Sequence, residues 1–471
     1  MSKPDVPDLR SLLKRRDVAA HLVGCGGAGM RALAEYASDL GWNVSGCDAN
    51  LNDRTRSKLE ALGIRTASSH SAEHVIGNCD LVVFTPAVSS IHPEVRAAAA
   101  SGSQTASYPE FLGEVSRNRP TIAVAGTHGK STTTALIASA LSEAGEAGAV
   151  FCGAEVLAKQ RHGWAGPGSW AIIEACEYRR HFLELEPEIG VVLSVEEDHF
   201  DCFETIDDAI EAYQQFLLPV KRLALVNVDS AGGRRITAEW DGACRGETLS
   251  WQGQPADWTA TDISQRAEGI EFDILYRGQR EDRVTVSLLG QHHAANGLAA
   301  YAALRATGTP RDTILHSLSH FAGLGRRLER HPDWRGIERF DDYAHHPTAV
   351  HATLFALRQK SPGQRLVCLF QPHQISRTER FVKEFGEALS IADEAWVLPV
   401  YAAREAGIER AEALSRGIAR HVKSPCGARF IPSLDHALNT LETALRPGDL
   451  LVTLGAGDTD CLQYELPRRF P

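Results

Sequence analysis

No C-x-x-C pair occurs among the ten cysteines of this 471-residue chain. Scattered cysteines of this kind argue against a zinc site or a disulfide framework and favour a reducing, cytoplasmic compartment. Also missing is any apolar run long enough to cross a bilayer. The basic residues Lys14, Arg15 and Arg16 precede a short strand and a glycine turn, where a secretory leader would have an apolar core and a cleavage site. Positive charge is in deficit: 49 Lys and Arg stand against 60 Asp and Glu, a net charge of −11. That balance excludes a general nucleic-acid or membrane-surface binder and leaves any phosphate chemistry to local basic residues. Neither an internal repeat nor a low-complexity tract is present.

What is present suits a globular enzyme of about three domains, since 43% hydrophobic content supplies several packed cores. Three segments differ in texture. The first opens with a β-type run at 18–23, then Gly24, Gly26, Gly27 and Gly29, a helical stretch to Leu40 and a second strand at 42–45 that ends near Asp48. This β-α-β layout with glycines at the strand-to-helix turn predicts a diphosphate lying against a helix N-terminus. By itself it fits a nicotinamide dinucleotide as well as a uridine diphosphate.

The second segment begins with Thr-Ile-Ala-Val-Ala-Gly-Thr-His-Gly-Lys-Ser-Thr-Thr-Thr at 121–134. A strand stops in a glycine turn and restarts as a helix carrying one lysine, the layout of a nucleoside triphosphate cradle formed by Gly126, Thr127, His128, Gly129, Lys130, Ser131 and Thr132. Val124 stands where a standard Walker A motif has its first glycine, so the loop is a shortened version. Strands are expected at 170–174, 189–195 and 223–228, a β-meander at 247–289 and helices at 293–306 and 310–320. Glu174 closes one strand, and His199 follows another. Ser131 and Glu174 are therefore candidate Mg²⁺ ligands, and His199 a candidate ligand for a second ion, with Asp198 as its competitor. Taken singly, Glu174 reads equally as a capping or solvated acid and His199 as a hydrogen-bonded loop histidine. Arg326 and Arg327, after Gly323 and Gly325, read either as a solvated linker or as an arginine that reaches the nucleotide.

The third segment alternates strands at 338–341, 366–370, 394–399, 428–432 and 450–454 with helical stretches, which implies a mainly parallel sheet. Asp342, His345, His346, Gln371, His373 and Gly455 lie just past its strand ends, where ligands gather in such sheets.

Together, His-Leu-Val-Gly-Cys-Gly-Gly-Ala-Gly-Met from 21, Gly-Thr-His-Gly-Lys-Ser from 126, Glu-Asp-His-Phe-Asp from 197, Asp-Asp-Tyr-Ala-His-His-Pro-Thr from 341 and Phe-Gln-Pro-His from 370 resemble the Mur ligase superfamily, ATP-dependent amide-bond-forming enzymes of bacterial cell-wall synthesis. The resemblance implies an α/β fold in three domains. A Rossmann-like UDP-sugar domain at 1–118 precedes a P-loop-type ATPase domain with its meander at 119–325, and a Rossmann-like amino-acid domain follows at 326–471. It assigns Gly24, Gly26, Gly27, Gly29, Asp48 and His70 to the UDP-sugar, and Lys130, Glu174 and His199 to phosphate and metal. Asn296, Arg327 and Asp342 go to ATP, and His345, His346 and Arg377 to the amino acid. The substrates implied are UDP-N-acetylmuramate, ATP with two Mg²⁺ ions, and an amino acid, L-alanine first, joined through an acyl phosphate. A recycling ligase that attaches a peptide to the same sugar is the neighbouring alternative. A cytoplasmic monomer or weak homodimer is expected. Three positions depart from the family pattern: His293 replaces an asparagine near the adenine, Gln374 replaces one of two arginines, and Arg179 and Arg180 occupy a run that is usually acidic and small.

Overall fold

Short aliphatic runs that end at glycine turns and alternate with helical stretches favour parallel sheets covered on both faces. Three such sheets form in succession along the chain. The computed structural model describes residues 8–75, 77, 79–198, 202–403, 405–423 and 427–471. The first sheet contains β1 (Ala19–Val23), β2 (Asn43–Cys47), β3 (Arg65–Ala67), β4 (Leu81–Phe84) and β5 (Gln104–Ser107). Its order is β3-β2-β1-β4-β5, all parallel. The order reverses at β1, so the glycine turn at 24–27, entering the helix Ala28–Asp39, lies at the point where such sheets open a crevice.

The second sheet contains β6 (Thr121–Ala125), β7 (Ala147–Val156), β8 (Arg161–Ala165), β9 (Trp170–Glu174), β10 (Ile189–Val192), β11 (Leu223–Asn227), β12 (Arg245–Ser250), β13 (Trp258–Arg266), β14 (Gly269–Tyr276) and β15 (Gln279–Val286). Strand β6 runs between β9 and β10, parallel to both, which brings the carboxyl ends of all three together. The meander β13–β15 is antiparallel, as its alternating pattern implies. Strand β10 is shorter than the apolar run at 189–195 suggests. Past Val192 the backbone turns aside, and the Ser194 carbonyl accepts from the Thr127 N–H at 2.8 Å. The hairpin β7–β8 has no counterpart among the expected strands. It seats the first domain, because Glu35 on the helix Ala28–Asp39 accepts from the His162 and Gly163 N–H groups at 2.6 and 2.9 Å.

The third sheet contains β16 (Glu329–Trp334), β17 (Ile337–Asp342), β18 (Leu366–Phe370), β19 (Glu394–Val397), β20 (Ala428–Phe430) and β21 (Leu450–Leu454). Its order is β16-β17-β21-β18-β19-β20, with only β16 antiparallel. Every residue of β6, β10, β18 and β21 is buried, as strands covered on both faces must be. Among the described residues no helix is long and apolar enough to cross a membrane.

Candidate functional site

The phosphate loop follows β6 and enters the helix Lys130–Glu143 through Gly129, whose φ of 83° lies in the left-handed region. A Cβ on Gly129 would come within 2.3 Å of Asn296 Oδ1, so glycine is what lets the helix His293–Thr307 close against the loop. The loop is tied to the chain after β10 on one side: the His128 N–H donates to Ser194 Oγ at 3.0 Å and the Glu196 N–H to Thr127 Oγ1 at 3.0 Å. The first amides of the Lys130–Glu143 helix have no intrahelical acceptor, and with the helix dipole they favour an anion.

Lys130 folds over this loop. Its Nζ donates to the Gly126 carbonyl at 2.5 Å and to Glu177 Oε1 at 2.8 Å. Burial works against its charge, but the Glu177 carboxylate outweighs it and holds the lysine above its ordinary pKa, so it is cationic at neutral pH. Ser131 Oγ donates to Glu174 Oε1 at 3.0 Å, and the other Glu174 oxygen accepts from the Gly153 N–H at 2.5 Å. The lysine, hydroxyl and strand-end carboxylate singled out from the sequence thus converge. Glu177 is a partner that sequence reasoning passed over, although it lies in the unusual run before Arg179 and Arg180. Both arginines have positive φ, 51° and 58°. Such backbone costs about 1–3 kcal/mol per residue and is often found where function needs it. Arg180 donates to Gln215 Oε1 at 3.2 Å, whereas Arg179 reaches the Pro86 carbonyl of the first domain at 3.5 Å.

On the far side of the loop, Asn296 is buried and contacts Thr133 Oγ1 at 3.4 Å and His293 Nδ1 at 3.0 Å. His293 is kept neutral by burial, by His292 and by Arg327. In place of the family amide it therefore offers one donor and one acceptor, and Asn296 uses one of them.

The two linker arginines part company. Arg326 turns into the third domain, donating to Asp341 Oδ2 at 3.1 Å, the Gly457 carbonyl at 3.0 Å and the Gly455 carbonyl at 2.6 Å. Arg327 turns the other way, bringing Nη2 within 3.5 Å of Ser131 Oγ while its guanidinium lies 5.1 Å from the Tyr343 ring centre. Asp342 organises this divergence: its oxygens accept from the Leu328 and Ala344 N–H groups, each at 2.8 Å. In this arrangement its carboxylate fixes the linker.

His346 caps the helix Pro347–Lys360 and packs 5.0 Å, ring to ring, from His128. Burial first, then His128, pushes the His346 pKa down to about 4. Glu196 stands beside them, 3.4 Å from His128 Nε2 and 3.2 Å from Thr348 Oγ1. His345 bonds the Tyr343 carbonyl at 2.8 Å, and its ring is 5.8 Å from His373. Arg377 lies in the same region, but its guanidinium is engaged by Asp198 Oδ1 at 3.0 and 2.5 Å. The proposed amino-acid arginine and the competing metal acid are therefore partners. His199 lies outside the described residues.

In the first domain Gly24 has φ of 85° and donates to the Cys47 carbonyl at 2.7 Å. Asp48 accepts from the Gly26 N–H at 3.0 Å and the Asn50 N–H at 2.8 Å, so it braces the glycine turn. His70 is placed behind that turn, 3.1 Å from Cys47 Sγ and 3.3 Å from Glu94 Oε2.

Three family models match the chain in this order: Mur ligase family, catalytic domain, over residues 19–120; Mur ligase middle domain over 124–304; and Mur ligase, glutamate ligase domain, over 326–457. The UDP-N-acetylmuramate–L-alanine ligase of Chloroflexus aggregans is 37% identical over 458 residues, covering 93% of this chain and 96% of its own length. The protein of the same name from Chlorobium phaeobacteroides is 37% identical over 455 residues, covering 95% and 96%. Among solved structures, the UDP-N-acetylmuramate-alanine ligase of Thermotoga maritima superposes with a TM-score of 0.80 over 96% of this chain and 99% of its own, at 24% identity. A murein peptide ligase of Psychrobacter arcticus gives 0.71, also at 24% identity, over 95% and 98%. At that identity both show a shared fold.

Proposed function

The chain belongs to the Mur ligase family, and from that premise we propose that it joins L-alanine to the lactyl carboxylate of UDP-N-acetylmuramate in an ATP-dependent step of peptidoglycan synthesis. We place that reaction in the cytoplasm, carried out by a monomer or weak homodimer. The observation that carries this reading is the convergence of Lys130, Ser131, Glu174 and Arg327 on one helix start, from two domains. It follows a separate glycine turn suited to a second diphosphate.

The substrate carboxylate attacks the γ-phosphorus, the bond to ADP breaks, and an acyl phosphate results. The amine of alanine then attacks the carbonyl carbon, phosphate departs, and the amine proton passes to solvent or a neighbouring base. Carboxylate and triphosphate are both anionic, so the approach needs fixed positive charge. Lys130 supplies it by exchanging the Gly126 carbonyl and Glu177 for phosphate oxygens, and Arg327 adds a second cation from the linker. Ser131 Oγ and the Glu174 carboxylate, 3.0 Å apart, are oxygen donors that fit Mg²⁺. When bound there, the ion neutralises charge on the triphosphate. We assign His199 to a second ion on its motif.

Asp342 acts through Leu328 and Ala344, positioning Arg327. With its pKa near 4, His346 is uncharged at neutral pH, and because its Nδ1 accepts from the Thr348 N–H its Nε2 carries the proton, so the ring offers a donor to the substrates. The test is phosphate release from Mg-ATP and UDP-N-acetylmuramate with alanine, glycine, serine or the cell-wall tripeptide offered in turn. Release is expected to be fastest with alanine. Release with the tripeptide alone overturns the reading in favour of a recycling ligase.

A further inference from the structure

Behind the glycine turn of the first domain six side chains collect, of which only His70 has been given a part in binding the substrates. Glu94, on the helix Pro93–Ser101, has a fully buried carboxylate. Among the described residues its charged partners are histidines only: His74 Nδ1 at 2.7 Å from Oε1, His70 Nδ1 at 3.3 Å from Oε2, His21 Nε2 at 3.6 Å from Oε1 and His92 Nδ1 at 3.7 Å from Oε2. Cys47 Sγ, at the end of β2, lies 3.0 and 3.3 Å from the two Glu94 oxygens. One donor atom from each of His21, Cys47, His74 and Glu94 lies within 4.8 Å of all the others. Ligands about 2.0–2.3 Å from a tetrahedral zinc ion lie about 3.3–3.8 Å from one another, so small side-chain shifts bring these four to a common centre.

The orientation of His21 gives an independent indication. His21 Nδ1 shares a hydrogen bond with Ser45 Oγ at 2.9 Å, and its Nε2 points into the cluster with no hydrogen-bond partner among the described residues. The His21 side chain is only 3% exposed. A buried ring nitrogen left without a partner beside a buried carboxylate and thiol is satisfied by a cation when Nδ1 carries the ring proton.

We infer that His21, Cys47, His74 and Glu94 form a structural Zn²⁺ site behind the diphosphate turn, with His70, His92 and Ser45 as its outer support. Two neutral imidazoles, a thiolate and a carboxylate cancel the charge of one dication, which suits a cluster with no lysine or arginine ion pair to Glu94 among the described residues. Zinc fits better than magnesium or calcium because thiolate and imidazole are its preferred donors. The Cys47 thiol releases its proton to solvent as the Zn–S bond forms. The site joins β1, β2, the turn Ala72–His74 and the helix Pro93–Ser101, and the Cys47 carbonyl receives the Gly24 and Cys25 N–H groups at 2.7 and 3.1 Å. Metal there stiffens the turn from behind. No paired-cysteine spacing announces the site, because its four ligands come from four separate elements.

The test uses the full, untagged chain, stripped with chelator and titrated with Zn²⁺ or Co²⁺. The expected result is about one tightly held zinc per chain. With cobalt, a thiolate-to-metal charge-transfer band should accompany the visible bands of a tetrahedral ion. Cys47→Ser should abolish the charge-transfer band, and His74→Asn should weaken zinc at least tenfold. Ser45→Ala should weaken it about tenfold to a hundredfold through His21. His74 is partly exposed on a turn, so its variant serves if Cys47→Ser fails to fold. His128→Ala, in the other histidine cluster, should leave zinc binding unchanged. Absence of tight zinc, or a site lost in His128→Ala and retained in Cys47→Ser, overturns the inference. The metal readouts do not depend on ligase turnover, so they fail or succeed separately from the proposed reaction.

Discussion

Arg377 of the third domain and Asp198 of the second form an ion pair at 2.5 Å, with 2% and 6% of their side chains exposed. The pair crosses the seam between the second and third sheets, next to the histidines expected to meet the amino acid. Breaking a buried pair from one side strips a buried charge of that partner, which costs about 3–5 kcal/mol. Arg377→Ala is therefore expected to lower stability by an amount in that range in urea titrations. Arg377→Lys keeps the charge but loses the fork that places Nε and Nη2 on one oxygen, and should retain part of it. A raised KM for alanine in Arg377→Ala with unchanged stability would instead make the arginine a carboxylate ligand.

Lys130→Ala is expected to abolish phosphate release while leaving UDP-sugar affinity within about twofold by calorimetry, since independent sites barely couple. The two helix starts lie in different sheets, and Lys130 contacts only its own loop and Glu177 among the described residues. Glu177→Gln removes the charge that holds Lys130 back. It also removes the main support against burial, so the lysine pKa should fall and phosphate release should be lost at a lower pH than in the native chain.

Much of this site was legible because strand ends are legible. The run ending at Glu174 and the loop from Gly126 to Ser131 are local patterns, and parallel pairing of β6 with β9 then forces them together. Glu177 was not legible in that way, because its contact with Lys130 depends on two left-handed arginines after it. The split between Arg326 and Arg327 depends on Asp342, fourteen residues beyond Leu328, accepting a linker amide. The hairpin β7–β8 was missed because its role lies in a contact with another domain. The Glu94 cluster escaped because its ligands have no common spacing.

Two glycines of the first turn should respond differently to alanine. Gly24 has φ of 85°, and a Cβ there would meet Thr85 Cγ2 at 2.4 Å. Gly27 has φ of −70°, and its nearest obstacle is the Gly24 carbonyl at 3.9 Å. Gly24→Ala is expected to cost about 1–3 kcal/mol of stability. Gly27→Ala should leave the melting temperature nearly unchanged and weaken UDP-sugar binding, because the added methyl stands where a diphosphate approaches the helix start. Equal stability losses in the two would remove the basis for placing the diphosphate at Gly27.

Glu35 links the first domain to β8 and titrates in an accessible range. Burial raises its pKa from 4.5 to about 7, against the lowering effect of the His162 and Gly163 N–H groups. Because the folded value is the higher one, the native state holds a proton that the unfolded chain has released. Its contribution to stability is fully present below pH 4.5, declines as the pH rises toward 7, and is flat above. One pKa unit corresponds to about 1.4 kcal/mol, so a shift from 4.5 to about 7 gives a total decline attributable to Glu35 on the order of 3 kcal/mol. Histidines titrate in the same window, so the informative quantity is the difference between the native chain and Glu35→Gln. The amide can still accept from both backbone N–H groups but carries no charge. Its urea midpoint should match the native chain at pH 4.5 and exceed it at pH 8; parallel pH profiles for the two would show that Glu35 is ionised throughout and that the seam tolerates its charge.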